Sequence, residues 1–365
     1  MNSASWAVPV DDSSWRARPA VALAILAALL VVISTLAIQT GAIAISPRQI
    51  AAIIASSFGA PLPDDLTAQT AAVLLAIRLP RIVLGIAAGA GLGAAGAVLQ
   101  GVFRNPLADP MLIGVSSGAA LAVTGVIVLG GGGTFAALAG FSTIAGALML
   151  PVAGFIGGLA AATLLYRLST REGRTSLTTM LLAGIAINAL AFSGIGVFTT
   201  IASNEQLRNI SFWNFGSLAG ATLDHVGVIA ILVTVVCIVL ARMGPALNAL
   251  LLGDSEARHL GFDTQVLKRN AIALSALLAG VLVAACGVIG FVALVAPHIV
   301  RLVCGPDHRI VIPGAALLGA TLLLAADLVA RIVIAPAELP IGIVTALLGA
   351  PFFLWLLMKN RERLA

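Results

Sequence analysis

The sequence predicts an all-α polytopic membrane protein of about ten transmembrane helices with both termini in the cytoplasm. Three observations carry this reading. Hydrophobic residues make up 60% of the chain and charged residues 10%, where a soluble domain averages about a quarter charged. The apolar residues fall into long stretches near the roughly 20 residues that cross a ~30 Å hydrocarbon core. Fifteen of the twenty lysines and arginines lie on one set of alternating connections and five on the other, and the positive-inside rule assigns the richer face to the cytoplasm. The formal charge of +5 therefore records topology, and no nucleic acid is implied.

Residues 1–19 are polar, include Asp11 and Asp12, and read as a cytoplasmic N-terminal segment. The apolar stretch 20–44 is longer than the 7–15-residue core of a cleavable signal, so it is expected to stay as the first helix of one transmembrane domain, 20–365. The second span, 82–101, is preceded at its outer end by Arg78-Leu79-Pro80-Arg81. Two arginines around a proline at a helix start can receive carboxylates from an outer partner, or can be ordinary surface charges. Gln100 to Pro110 holds Asn105, Pro106 and Pro110 and is expected to be a rigid polar turn at the cytoplasmic face.

Spans follow at 110–130, 141–167 and 177–201. The outer connection Asn204–Gly220 reads as a short interfacial helix with Trp213 at headgroup depth. After a span at 223–243 comes a long cytoplasmic segment, 245–268. In it Asp254 or Ser255 can cap a short helix ending near Gly261, with Ala257 and Leu260 on one face. Its apolar side needs either a partner groove or the headgroup layer. The stretches 270–288 and 290–304 almost touch through Cys286–Gly290 and read as two spans; the last two are 311–334 and 339–358.

Glycine is frequent, at 38 residues, and clusters inside spans, as in Gly85, Gly89 and Gly93, or Gly154, Gly157 and Gly158. In lipid, small residues one turn apart mark close helix–helix contact. Cys237, Cys286 and Cys304 lie in apolar segments without Cys-x-x-Cys spacing, and with one tyrosine no ligand cage or metal site is expected. Asp327 is the clearest acid within a span, and Arg331 stands one helical turn further on, where it can pair with it. The two lysines, Lys268 and Lys359, do not belong to a Gly-x-x-x-x-Gly-Lys phosphate loop. This chain is expected to bind no cofactor; ATP and Mg, if they power it, belong to another subunit.

Four motifs together resemble one family over nearly the whole chain. They are RLPRIVLGIAAGAGLGAAGAVLQGVFRNPLADPMLIGVSSGAAL (78–121), GDSEARHLGFD (253–263), GVIGFVALVAPHIVRLVCGPDHR (287–309) and ADLVARIVIAPAELPIGIVTALLGAPFFLWLL (326–357). The chain resembles the permease subunits of ATP-binding-cassette importers for ferric siderophores, haem or vitamin B12. The resemblance implies a homodimeric permease in the bacterial inner membrane, two ATPase subunits and a periplasmic binding protein. It implies that Arg78, Arg81 and Arg331 receive acidic side chains of that binding protein. It further implies that Asp254, Ser255, Glu256, Ala257, Arg258, Leu260 and Gly261 form the helix that couples to the ATPase. The path is expected to include the polar minority of the fifth span, Asn188, Ser193, Thr199 and Thr200. Residues 204–218, NEQLRNISFWNFGSL, look most like haem-uptake members, though an apolar path would also suit a siderophore. An ion-coupled secondary transporter is the alternative from another class, and the scarcity of midspan acids argues against it.

Overall fold

Close approach of glycine-bearing backbones sets this architecture. The computed structural model describes residues 18–41, 45–56, 67–130, 143–171, 174–335 and 337–359. Residues 1–17, most of the expected N-terminal segment, lie outside them. The helices in order are α1 (Pro19–Gln39), α2 (Pro47–Ser56), α3 (Ala68–Ala72), a π-helical turn (Val73–Arg78), α4 (Leu79–Phe103), a 3-10 turn (Pro110–Ile113) and α5 (Val115–Leu129). Then follow α6 (Thr143–Ser169), α7 (Leu177–Ile201), α8 (Asn204–Asn214), α9 (Leu223–Arg242), α10 (Gly244–Leu251) and α11 (Asp254–His259). The chain closes with α12 (Thr264–Cys286), α13 (Val292–Cys304), α14 (His308–Ile332) and α15 (Ile341–Lys359). The only sheet among the described residues is a two-residue antiparallel pairing of Thr170–Arg171 with Arg174–Thr175 between α6 and α7.

Among the described residues, seven helices are long and apolar enough to cross a membrane, and 115–129, 292–304 and 341–355 are shorter apolar helices. Each falls on one of the stretches read from the sequence. The doubtful junction at 286–290 is a true break: α12 ends at Cys286, Gly287 takes φ 73°, and α13 starts after Phe291 at φ 67°.

α4 is the buried centre, and α14, α12, α9 and α13 pack around it. Its expected glycine row is the seam with α14. A Cβ on Gly89 would meet the Gly319 carbonyl and lie 2.6 Å from the Ala320 Cα, and one on Gly93 would meet the Ala315 carbonyl. Gly157 likewise lies against the Gly118 carbonyl, and Gly154 against Ala284. By contrast α1, α7 and α9 turn most of their apolar side chains outward, Leu182, Ile185, Leu190 and Phe192 among them. Lipid solvates such side chains as well as a neighbouring helix does, so association depends on how close the backbones come. Because carbonyl oxygens cannot yield as a flexible side chain can, Gly89→Val is expected to destabilise the bundle by about 3 kcal/mol or more. Thermal unfolding in nanodiscs checks this, and an unchanged midpoint contradicts it.

One expected surface turn lies elsewhere. α4 runs on to Phe103, Arg104 ends it at φ 48°, and the chain then enters the bundle instead of staying at its face. Asp109 is buried and accepts from the Met111 N–H, and Gly114 lies against Ile187 in the middle of α7. The two prolines do make the segment non-helical, as read from the sequence. Leu107 and Met111 of this segment line an open cavity together with Phe291 and Leu294.

Candidate functional site

The N-terminal end of α4 holds the first candidate. Arg78 and Arg81 stand three residues apart on one face, fixed by the π-helical turn that ends at Arg78. That face is turned inward, toward α1 and α14. Arg78 Nη1 donates to the carbonyls of Ile38 (2.5 Å) and Gln39 (3.2 Å). Arg331 donates to the carbonyls of Thr40 (3.0 Å) and Ala37 (3.2 Å). These carbonyls belong to the last turn of α1 and to its cap residue Thr40, which have no intrahelical donors left for them, so the guanidinium groups complete that helix end. The expected Asp327–Arg331 pair is present, with Nε 3.2 Å from the carboxylate.

A second, better-aligned partner of Asp327 was not legible in the sequence: Arg81, 246 residues away, donates from Nε and Nη2 at 2.8–3.2 Å. Its remaining nitrogen, Nη1, donates to both oxygens of Glu338 at 2.9 Å. Asp327 is 1% exposed, while the Glu338 side chain is 43% exposed. The three arginines expected to face outward are thus brought together, but each is engaged within the chain.

On the opposite side lies the coupling candidate. α11 spans Asp254–His259, and its cap is Gly253, at φ 126°, which no side chain assists. Asp254 is therefore the first helical residue and not the cap expected from the sequence. Its carboxylate is drawn instead to Lys268 Nζ (2.5 Å) at the start of α12 and to Arg104 Nη2 (3.0 Å) at the end of α4. Burial pushes its pKa up, but the Lys268 hydrogen bond and charge, with the Arg104 charge, outweigh that and hold it below the ordinary carboxylate value. A depressed folded pKa means this contribution is intact above the ordinary carboxylate value and is lost only as pH falls through the lower folded one.

The structure also separates Ala257 from Leu260. Ala257 is fully buried against its own chain, whereas Leu260 is 60% and Leu252 68% exposed. Ser255, Glu256, Arg258 and Gly261 are exposed as well. The packing of α11 on α10 and α12 consumes the small side chain and leaves the large ones outside.

The expected path residues all lie on α7, on two stripes. Asn188 accepts from Ser117 Oγ (2.5 Å) and donates to the Met111 carbonyl (3.4 Å), which clamps the inserted 104–114 segment to α7. Ser193, Thr199 and Thr200 donate to carbonyls of their own helix. At about 100° per residue, Asn188 and Thr199 share one stripe while Ser193 and Thr200 lie some 120–140° round from it. None of the four borders either cavity described below.

Three chain interruptions meet elsewhere, at 214–217, 286–291 and 340–342. The turn after α8 donates from Ser217 N to the Cys286 carbonyl (2.8 Å) and accepts at Phe215 and Gly216 from Gly342 and Ile341 (2.8 and 3.1 Å). Gly216, at φ 71°, is required there: a Cβ would crowd the Val288 and Cys286 carbonyls. One cavity of about 440 Å³ lies beside this knot, lined by Leu107, Asp109, Met111, Phe215, Phe291 and Leu294 among others. Another of about 450 Å³ is lined by Asn204, Leu207, Arg208, Phe212, Phe215 and Ile343 among others. α8 itself is the expected short helix, closed by a Ser203/Gln206 capping box and tied by Gln206 to the Ile127 and Val128 carbonyls. Trp213 is half-buried at its end. Among the described residues no group of three His, Cys, Asp or Glu could hold a metal ion.

Comparison with known proteins places this arrangement. The chain is 47% identical over 291 residues to the hemin transport system permease protein HmuU of Yersinia pestis, covering 80% of this chain and 84% of that protein. It is 40% identical over 308 residues to the cobalamin import system permease protein BtuC of Halobacterium salinarum, covering 84% and 78%. A solved inward-facing ABC transporter of metal-chelate type superposes with a TM-score of 0.78 at 31% identity, covering 94% of this chain and 100% of that one. The model of the FecCD transport family matches residues 29–359. This multi-pass chain, with its glycine-packed helices, clustered arginines and exposed short helix, belongs to the FecCD transport family of ABC importer permeases.

Proposed function

We propose that this chain is the permease half of a haem importer in the bacterial inner membrane. The observation that carries the substrate is the outer cavity: its wall is built from Asn204, Leu207, Arg208, Ser211 and Phe212, the stretch whose sequence resembles haem-uptake members, and it is mostly apolar with one charged group, Arg208. A large planar apolar molecule bearing carboxylates suits such a wall. The identity to the hemin permease of Yersinia pestis supports the same choice.

Two copies enclose the path, with both termini and the 245–268 segment in the cytoplasm and residues 1–19 ahead of a single membrane domain 20–365. The outward apolar side chains of α7 leave room for both a second copy and lipid. ATP and Mg reside in two partner subunits that seat Asp254–Gly261, and no cofactor is held here. A periplasmic binding protein docks at Arg78, Arg81 and Arg331. Asn188, Ser193, Thr199 and Thr200 of α7 line the path between the two copies, and the cavities beside the knot at Gly216, Gly287 and Gly342 border its outer end. Movement follows from the differing affinity of the ATPase pair for outward and inward states.

Vesicles holding the permease with its ATPase, supplied with binding protein, test this against haem, a ferric siderophore and cobalamin side by side. ATP-dependent accumulation of haem above the other two is expected. Preferential accumulation of cobalamin or the siderophore overturns the haem assignment, and uptake on a pH gradient without ATP overturns the importer assignment.

A further inference from the structure

The Arg81 guanidinium has five N–H donors, and their allocation is unequal in exposure. Asp327, almost wholly buried, takes the Nε and Nη2 edge from below. Glu338, on the short connection between α14 and α15, takes Nη1 with both oxygens from the outer side, and its side chain is 43% exposed. A carboxylate arriving from outside meets the Nη1 edge, and that edge is filled. Locally, three guanidinium groups of Arg78, Arg81 and Arg331 face two carboxylates, so the pocket presents one net positive charge with Glu338 seated and two when it leaves.

We infer that Glu338 is an internal stand-in for the docking carboxylate: it holds Arg81 in the undocked protein and is displaced by an acidic side chain of the binding protein. This rests on the docking reading proposed above. The exchange needs little more than side-chain rotation, because the backbone beside Glu338 is already fixed, Leu339 N to the Ala330 carbonyl and Ile341 N to the Gly216 carbonyl, both at 3.1 Å. The displaced residue is three positions from Ile341, whose N–H is tied to the Gly216 carbonyl, so docking exchanges one side-chain contact beside the knot of interruptions while the backbone there stays in place. Asp327 keeps Arg81 charged and in place throughout, so the network does not collapse when Glu338 leaves.

Glu338 is the position to test, since reversing Arg81 would set a third carboxylate against Asp327 and would examine folding instead of docking. Binding-protein affinity is measured for the complete transporter in nanodiscs, wild type, Glu338→Gln and Glu338→Ala, at low and high salt. Removing a half-exposed competitor is expected to tighten Kd by roughly fivefold, mostly through faster association, with a steeper dependence on salt. A Kd unchanged or weakened in either variant overturns the proposal. Wild-type association that does not slow with salt overturns the docking reading itself, whereas salt-sensitive docking that ignores Glu338 overturns only the exchange.

Discussion

Asp327→Asn is expected to cost about 3–5 kcal/mol of stability while ATP-driven uptake per folded molecule remains measurable. The carboxylate is 1% exposed and serves two guanidinium groups, so its loss leaves Arg81 and Arg331 with uncompensated charge in a buried place. Arg331 would keep the carbonyls of α1 and Arg81 would keep Glu338, so the geometry is weakened and not erased. The sequence alone suggests only a modest loss, because it offers Asp327 one cation a turn away. The second cation, found by packing, raises the expected cost. Thermal unfolding in nanodiscs, read beside uptake normalised to folded protein, checks it. An unchanged midpoint removes the structural role, and uptake driven by a proton gradient without ATP makes the acid a relay.

Leu260→Asp is expected to abolish most ATP-driven uptake with permease abundance retained. Leu260 is 60% exposed at the end of α11, beside exposed Leu252, and seats in the ATPase under the proposed function. A carboxylate desolvated there without a partner costs more than about 1.4 kcal/mol, so subunit affinity and uptake fall by roughly tenfold or more. Ala257→Asp should behave differently: the site is fully buried within this chain, so abundance itself falls. Pull-down of the ATPase, membrane abundance and vesicle uptake separate the two. Uptake at the wild-type rate in Leu260→Asp would dismiss the coupling assignment.

Much of this protein is written in local pattern. The ten apolar stretches, the split at Cys286–Gly290 and the rows Gly85/Gly89/Gly93 and Gly154/Gly157/Gly158 follow from the thickness of a bilayer and from the close backbone approach by which apolar helix faces associate in lipid. The Asp327–Arg331 pair is one helical turn and needs no tertiary knowledge. The exposed helix near Asp254 was likewise readable from its charges and its glycines.

Contacts between residues far apart were not readable, and they decide the sites. Sequence spacing places Arg78 and Arg81 at an outer helix start, yet only the approach of α1 and α14 turns them inward onto carbonyls, Asp327 and Glu338. Periodicity makes Asp254 a fit cap, yet Lys268 and Arg104 draw its carboxylate away and Gly253 closes the helix without it. The hydroxyls of Ser193, Thr199 and Thr200 mark the polar minority of their span, and the folded helix shows each of them donating to a carbonyl of its own preceding turn. Polarity and period are properties of a segment, so the sequence by itself determined the membrane class, the spans and the packing seams. Which charge meets which is settled by burial, where an unpaired group is costly enough to recruit a partner from anywhere in the chain, and that the tertiary structure alone decided.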